Sequence, residues 1–526
     1  MNLIGYRQWL ASLLVLVPLL ASSGEDTALI DATKRRDDAA INQLLAHGAN
    51  VNQPLADGTT ALHWAAHWNE IVIADRLLHA GADPNLANEY GVVPLALACT
   101  NKSTEMTLLL LKAGASPDAK TRTGETVLMN CSRTGATDAV AALIDAGADV
   151  NAVEPLSGQT ALMWAAAGGH GAITGMLIKQ GADIRKATLP SPDRVPNTCR
   201  ICEWKPSPGG FTALLFAARS GDIESTRYLL EAGADVNDAT LEHGTPLVIA
   251  SAGGHEDLAL FLLSNGADPM AKDENGVTAL HHAIQDGLAS LHGITYDPVY
   301  RVRPRNMPRL ARALLETGID PNVRIAKSFY IGPAIRDACE SVADMVGATP
   351  FMLAAISADV DLLRLLEVYE ADPELGTSDG TTPLMVAARA SCTGSNQQHN
   401  LASSKLESSL NAVKAIFAMG VDINTTNENG DTALHLAAFS GADPVVQFLA
   451  DHGAQIDASN KLGETPWSMA SGISPSLQDR GAYGLHASTA TLLMKLGAKS
   501  ITRADMKVPD AYSNFFEKAI SIDQNP

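Results

Sequence analysis

The sequence predicts an all-α solenoid of about twelve helix-turn-helix units, joined by extended finger loops and broken by several long insertions. Three observations predict it. One block recurs along the chain, as "GTTALHWAAHWNEIVIADRLLHAGADPN" (58–85), "GFTALLFAARSGDIESTRYLLEAGADVN" (210–237) and "GDTALHLAAFSGADPVVQFLADHGAQID" (430–457). The apolar residue anchoring each block stands at 62, 95, 128, 162, 214, 247, 280, 351, 384, 434 and 467, and seven of the ten intervals are 33 or 34. Aromatics make up only 5% of the chain while Ala, Leu and Gly abound, which suits thin, closely stacked helices. A fixed period of this size marks a repeat array. It overrides the length prior, under which 526 residues would divide into three or four globular domains. A degenerate opening unit, "TALIDATKRRDDAAINQLLAHGANVN" (27–52), makes twelve.

Each element of the unit follows from its residues. In "GTTPLMVAARA", Thr382 is placed to cap a helix and Pro383 to begin it, where a side-chain oxygen satisfies free amides and Pro loses no hydrogen bond. Ala387 and Ala388 keep that first helix thin. A turn follows at Gly169, Gly221, Gly254 or Gly441, and at Asn69 in the second unit, all tolerant of left-handed backbone. The second helix buries pairs such as Leu229 and Leu230, or Leu262 and Leu263. It stops at a Gly suited to the residue past a helix end: Gly81, Gly147, Gly233 or Gly266. An extended finger leads on. No unit can bury its apolar face alone, so stability is expected to be a chain of local interfaces.

These motifs resemble the ankyrin repeat family: the Thr-Pro-Leu-His-x-Ala-Ala step, the Leu-Leu-x-x-Gly-Ala-Asp-x-Asn ending and the Gly that opens each unit. The resemblance covers nearly all of the chain after residue 25, and the long insertions look like those of exported bacterial members. It implies a protein-protein interaction scaffold whose concave face is lined by finger tips and exposed ends of first helices. Carried onto this sequence, the protein-binding candidates are His67, Trp68, Arg133, Arg219 and Phe439 after the Ala-Ala step, and Glu89, Tyr90 and Arg122 on finger tips. Trp68, Tyr90 and Phe439 are the expected exposed aromatics, the residue class that most often dominates an interface. Trp64 and Trp164, two positions after the anchor, are expected to be partly buried packing.

The ends and the breaks set the domain plan. Residues 1–23 carry one positive charge, Arg7, then an apolar run from Leu10 to Ala21, with Ala21 and Ser23 spaced as a cleavage site requires. They are expected to be a signal peptide, leaving an array over 24–500 and a tail over 501–526. No later stretch is apolar enough for a membrane helix, so the chain is expected in the periplasm or secreted. Long intervals mark insertions at about 185–209, 290–306, 324–346 and 392–406, and a further one lies near 472–485; several are on the edge opposite the fingers. The formal charge of −20 disfavours nucleic acid and anionic membranes and favours a basic or neutral protein partner.

No metalloprotease His-Glu-x-x-His, Gly-x-Ser-x-Gly elbow, phosphate loop or dinucleotide fingerprint occurs. No enzyme activity, cofactor or metal is expected. His63, His281 and His435 each follow an anchoring Leu, and a residue repeated at a repeated position reads as structural; His170 and His255, which open second helices, read alike. Cys99 and Cys131 fall in the small-residue step and are expected to pack as small apolar side chains. Cys339 and Cys392 lie in insertions on opposite edges and are not expected to pair. Cys199 and Cys202 sit in a Pro-rich loop and are expected to form a local disulfide, since zinc needs four ligands and two are offered. Two alternatives stand beside the scaffold: redox or metal handling by the Cys199–Cys202 loop, and a secreted effector directed at a host protein.

Overall fold

The computed structural model describes residues 27–190, 209–240, 242–284, 286–288, 305–327, 346–389, 403–473 and 486–506. Among them there are twelve helix pairs and no β-strand; isolated bridges such as Lys120–Thr126 and Lys272–Thr278 close individual fingers. The chain forms two compact units, Met1–Leu189 with Arg227–Ala232, and Pro190–Thr226 with Gly233–Pro526. The first five repeats pair Ala28–Arg35 with Asp38–Ala46, Ala61–His67 with Ile71–His79, Pro94–Thr100 with Thr104–Lys112, Val127–Thr134 with Thr137–Asp145, and Ala161–Ala167 with Gly171–Lys179. The second unit carries the remaining first helices, from Ala213–Ser220 to Pro466–Ala470.

First helices start where the sequence places them. Thr382 is extended (φ −92°, ψ 162°), its hydroxyl accepts from Met385 N, and Pro383 occupies the first turn. Thr126, Thr349, Thr432 and Thr465 cap their helices likewise. The helices turn back through left-handed residues, among them Gly169 at φ 69° and Asn69 at φ 58°. The Ala-Ala step is buried throughout, including Ala65, Ala66, Ala165, Ala166, Ala387 and Ala388.

Many neighbouring repeats are clipped by an Asn at the end of a unit, a place that Asp118 and Glu374 take in two others. Asn52 Nδ2 donates to Gly81 O at 3.0 Å, and Asn52 Oδ1 accepts from Asp83 N at 2.8 Å. Asn85 and Asn151 do the same to Gly114 with Ser116 and to Gly181 with Asp183. In the second unit Asn237 and Asn424 repeat the clip. Finger tips also join through backbone: Glu89 N to Asp57 O at 2.8 Å, Arg122 N to Tyr90 O at 3.0 Å, and Leu189 N to Ser157 O at 2.8 Å.

Two features depart from expectation. Cys99 and Cys131 are fully buried as foreseen, but they are joined to each other by a disulfide, with Cα atoms 4.6 Å apart. Cys99 stands four residues after its anchor and Cys131 three after its own, and stacked helices bring those two positions face to face. The insertion expected at about 392–406 is also shorter than expected, because the second helix of repeat ten already begins at Ser403 and runs sixteen residues to Ala418. Ser409, Ala412, Val413 and Ile416 are its buried face, and Ser409 Oγ reaches Ala387 O at 2.5 Å, so the helix is tied to its partner well before its last turns. Residues 1–23, most of every insertion, and Cys199, Cys202, Cys339 and Cys392 lie outside the described residues.

Leu434 is buried at the anchoring position of repeat eleven. Its replacement by Ala is expected to cost about 2–5 kcal/mol. Hydrogen exchange should show protection lost first in the C-terminal repeats, with the first five repeats unchanged; a uniform loss along the chain would contradict a locally stabilised array.

Candidate protein-binding surface

The first helix of repeat two ends at His67, with Trp68 as its final half-turn and Asn69 reversing the chain. Beyond the buried Ala65–Ala66 step the side chains are only partly covered, and Trp68 is 42% exposed. It is nonetheless held. Arg36 lies over the Trp68 ring at 5.2 Å and Lys34 over Trp64 at 4.8 Å, both reaching across from repeat one. Arg36 Nε is fixed in turn by Glu70 Oε1 at 2.9 Å. Trp64 and Trp68 stack with centroids 6.3 Å apart, and the His67 ring meets Trp68 edge-on at 4.7 Å. From repeat three, Asn101 Nδ2 donates to Ala66 O at 3.0 Å and His67 O at 2.7 Å. Burial lowers the pKa of His67, so the patch has a neutral imidazole between two cations and two indoles at neutral pH.

The other candidates fall in separate places. Glu89 and Tyr90 are exposed on the finger after repeat two, Tyr90 by 48%, and the Tyr90 carbonyl binds the next finger at Arg122. Arg133 is half-buried: its guanidinium donates to Asn130 Oδ1 at 2.7 Å, lies 3.7 Å from Glu125 and covers the Trp164 ring at 5.6 Å. Burial pushes the Glu125 carboxyl up, Arg133 pulls it down and Glu154 raises it. Beside these residues a 60 Å³ cleft opens between repeats three and four, walled by Val92, Ala96 and Val127. In the second unit, Arg219 lies over Phe216 at 4.9 Å and Phe211 at 5.4 Å, and Arg389 over Phe439 at 5.2 Å. Phe439 is half-buried, not the exposed aromatic expected of it. Six candidates thus belong to the first unit and two, Arg219 and Phe439, to the second.

Sequence reasoning missed Lys34 and Arg36. The signal that finds them is a cation placed about one period before an aromatic: Lys34 to Trp64, Arg36 to Trp68, Arg133 to Trp164. Trp64 and Trp164 are half-buried, as expected for packing residues.

A family model described as ankyrin repeats (3 copies) matches residues 10–88, 95–188, 197–273, 214–294 and 399–475, more than half of the chain. The chain belongs to the ankyrin repeat family. It is 26% identical over 288 residues to the E3 ubiquitin-protein ligase KEG of Arabidopsis thaliana, covering 51% of this chain and 16% of that protein. It is 29% identical over 254 residues to the putative palmitoyltransferase ZDHHC13 of Danio rerio (48% and 31%). It is 25% identical over 317 residues to Rabankyrin-5 of Homo sapiens (50% and 26%). The chain therefore spans less than a third of the length of these relatives. What they share with it is the repeat, and ankyrin repeats indicate a protein-protein interaction scaffold.

The ankyrin histidines are structural. His63 Nδ1 accepts from Thr60 N at 3.2 Å, which leaves the proton on Nε2 to bond Val92 O at 3.0 Å in the next repeat. His435 makes the same pair of bonds to Thr432 N and Glu464 O. His170 and His255 fold back onto Arg133 O and Arg219 O. Among the described residues no group of three or more His, Cys, Asp or Glu is placed to hold a metal ion, and no helix is long and apolar enough to cross a membrane.

His281 is the exception in this set. Its Nδ1 accepts from Thr278 N at 3.2 Å, but its buried Nε2 has no hydrogen-bond partner. The equivalent carbonyl, that of Ala348, supports the ring only weakly and accepts instead from Ile325 N at 3.0 Å. Burial lowers the His281 pKa to about 4, against the partial support of Ala348 and Val323. The folded chain then takes no proton here until about pH 4, while the unfolded chain takes one below 6.5. This contribution to stability is complete above pH 6.5 and is lost as pH falls toward 4. Between pH 7 and pH 5 it should amount to roughly 2 kcal/mol. His281→Gln, which keeps an acceptor but no titrating ring, should flatten the acid dependence of unfolding by about that much; an unchanged slope would remove His281 from the account.

Proposed function

We propose that this chain is an exported scaffold that binds a basic or neutral protein partner on the first-helix ends and finger tips of its first five repeats. The observation that carries the reading is the Trp64–His67–Trp68 cluster. It is a large aromatic surface, exposed at Trp68, that is already ordered by Lys34, Arg36 and Asn101 before any partner arrives. Aromatic anchors held in one conformation lose little entropy on binding, which is what makes them dominant in interfaces. Tyr90 adds a second exposed ring on a finger of the same unit. The charge of −20 supports a partner that is not itself acidic. Export is supported by the apolar N-terminal segment ending in Ala21 and Ser23, and by a disulfide in the array core, a bond that persists in oxidising compartments.

The test is crosslinking and capture of the full chain from cells, with fractionation and N-terminal sequencing. The exported form is expected to begin at Gly24, and one dominant protein is expected to be captured. Trp68→Ala/Tyr90→Ala should weaken that capture at least tenfold while the unfolding midpoint stays within about 2 °C, since both rings are solvent-exposed. Undiminished capture by the variant would move the interface off this face, and an intact Met1 in the cytoplasm would end the export reading.

A further inference from the structure

The Cys99–Cys131 bond joins the first helices of repeats three and four, Pro94–Thr100 and Val127–Thr134. Both cysteines are fully buried at the plane where the two helices meet. The cross-link is embedded in polar ties between the same two helices. Thr134 Oγ1 lies 2.9 Å from Cys99 O and 3.1 Å from Cys131 O. Asn130 Nδ2 donates to Ala96 O at 2.8 Å and to Thr100 Oγ1 at 3.2 Å. Two residues past Cys99, Asn101 holds the carbonyls of Ala66 and His67. The covalent tie therefore sits one repeat away from the Trp68 patch, in the helix that Asn101 caps.

We propose that Cys99–Cys131 is a redox-closed clamp, formed as repeats three and four dock, that holds the interaction face of the first unit in place. The inference rests on the export reading for the compartment in which it closes. The chemistry is thiol–disulfide exchange with a disulfide donor of that compartment, either a disulfide-carrying oxidoreductase or a small-molecule disulfide. The Cys99 thiolate attacks one donor sulfur and expels a thiolate. The Cys131 thiolate then attacks the Cys99 sulfur, the Cys99–donor bond breaks and the second donor thiolate leaves. Two cysteine thiols lose two electrons and two protons, and the donor disulfide becomes two thiols. Because neither sulfur is accessible in the folded array, exchange must precede final packing, and the finished bond is shielded from thiols in solution. At the equivalent step the repeats of Ala65–Ala66 and Ala165–Ala166 stack on alanines alone, so the clamp adds a tie that the fold does not otherwise need.

The experiment is differential alkylation and peptide mapping of the full chain from the exported fraction, followed by thermal unfolding of a Cys99→Ala/Cys131→Ala variant. The expected map links Cys99 to Cys131, resistant to dithiothreitol in native buffer and released when denaturant is added. The variant is expected to fold and to lower the unfolding midpoint of the first unit by about 5–15 °C, matching fully reduced native chain. Cys199→Ala/Cys202→Ala should leave that midpoint unchanged, which assigns the effect to the buried pair. Free thiols at 99 and 131 in exported chain would overturn the clamp and leave export standing. A midpoint equal to that of the oxidised chain would also overturn it. Linked cysteines in a chain confined to the cytoplasm would overturn export and leave the clamp.

Discussion

The close approach of consecutive first helices is the constraint on which the rest depends. In half of the repeats the step is a pair of alanines, elsewhere it takes Cys, Ser, Thr or a single Ile, and nearly all of these side chains are buried where the neighbouring helix packs. That spacing sets the reach of every other tie. An Asn side chain spans from one repeat to a carbonyl 29 residues on, as Asn52 does to Gly81 and Asn424 to Gly453. A His ring at the first turn spans to the next repeat, as His63 does to Val92. Repeats eight and nine show how much an insertion disturbs. The Asn322 clip survives across 48 residues, now to Glu370, which takes the left-handed φ of 65° where other repeats have Gly. The His281 bond does not survive, and a buried ring nitrogen is left without a partner. Extra chain can be looped out from the edge of the stack, but a bond made inside it needs the neighbour at its regular place.

Because stacking uses the faces of the helices, side chains at the helix ends and on the fingers, such as Trp68 and Tyr90, keep exposed surface. The polar surface there is organised in a repeated way, with a cation from one repeat over an aromatic of the next. Arg36 over Trp68, Arg133 over Trp164 and Arg389 over Phe439 are three instances of one device. Such pairs contribute of order 0.5–1 kcal/mol each where exposed. Their larger effect is to fix flat side chains in one orientation on a surface that no core supports.

The fold was legible because it is written twelve times. The threonine caps, the reversing glycines and the Ala-Ala step each have a local cause, so they could be read from Thr382–Pro383 or Gly221 without knowing the neighbours. What depends on two repeats at once was not legible unit by unit. Cys99 and Cys131 each look like a small apolar residue in its own helix, and only their offset of 32, one short of the period, shows that they face each other. Lys34 and Arg36 sit in a degenerate repeat and gain meaning only from Trp64 and Trp68 a period later. The helix position of Phe439 suggests an exposed ring, but Arg389 from the preceding repeat covers it. The start of the long helix at Ser403 was hidden by a serine-rich stretch with weak helical preference, which packing of Ser409 and Ile416 overrides.

The same reasoning explains why the aromatic patch and the stability of the array cannot be separated locally. Trp68 belongs to repeat two, yet the groups that orient its surroundings come from repeat one, through Lys34 and Arg36, and from repeat three, through Asn101. The patch therefore exists only while three consecutive repeats are stacked. In a globular domain a cross-link steadies the whole core, whereas in a one-dimensional array it steadies chiefly the interface it crosses. The interface crossed by Cys99–Cys131 adjoins the repeat whose Asn101 holds His67. Fraying that reached this helix would release the His67 carbonyl and let the aromatic cluster relax. On the proposed reading, a tie placed there would serve recognition by preserving order that a partner would otherwise have to impose, without touching the partner at all.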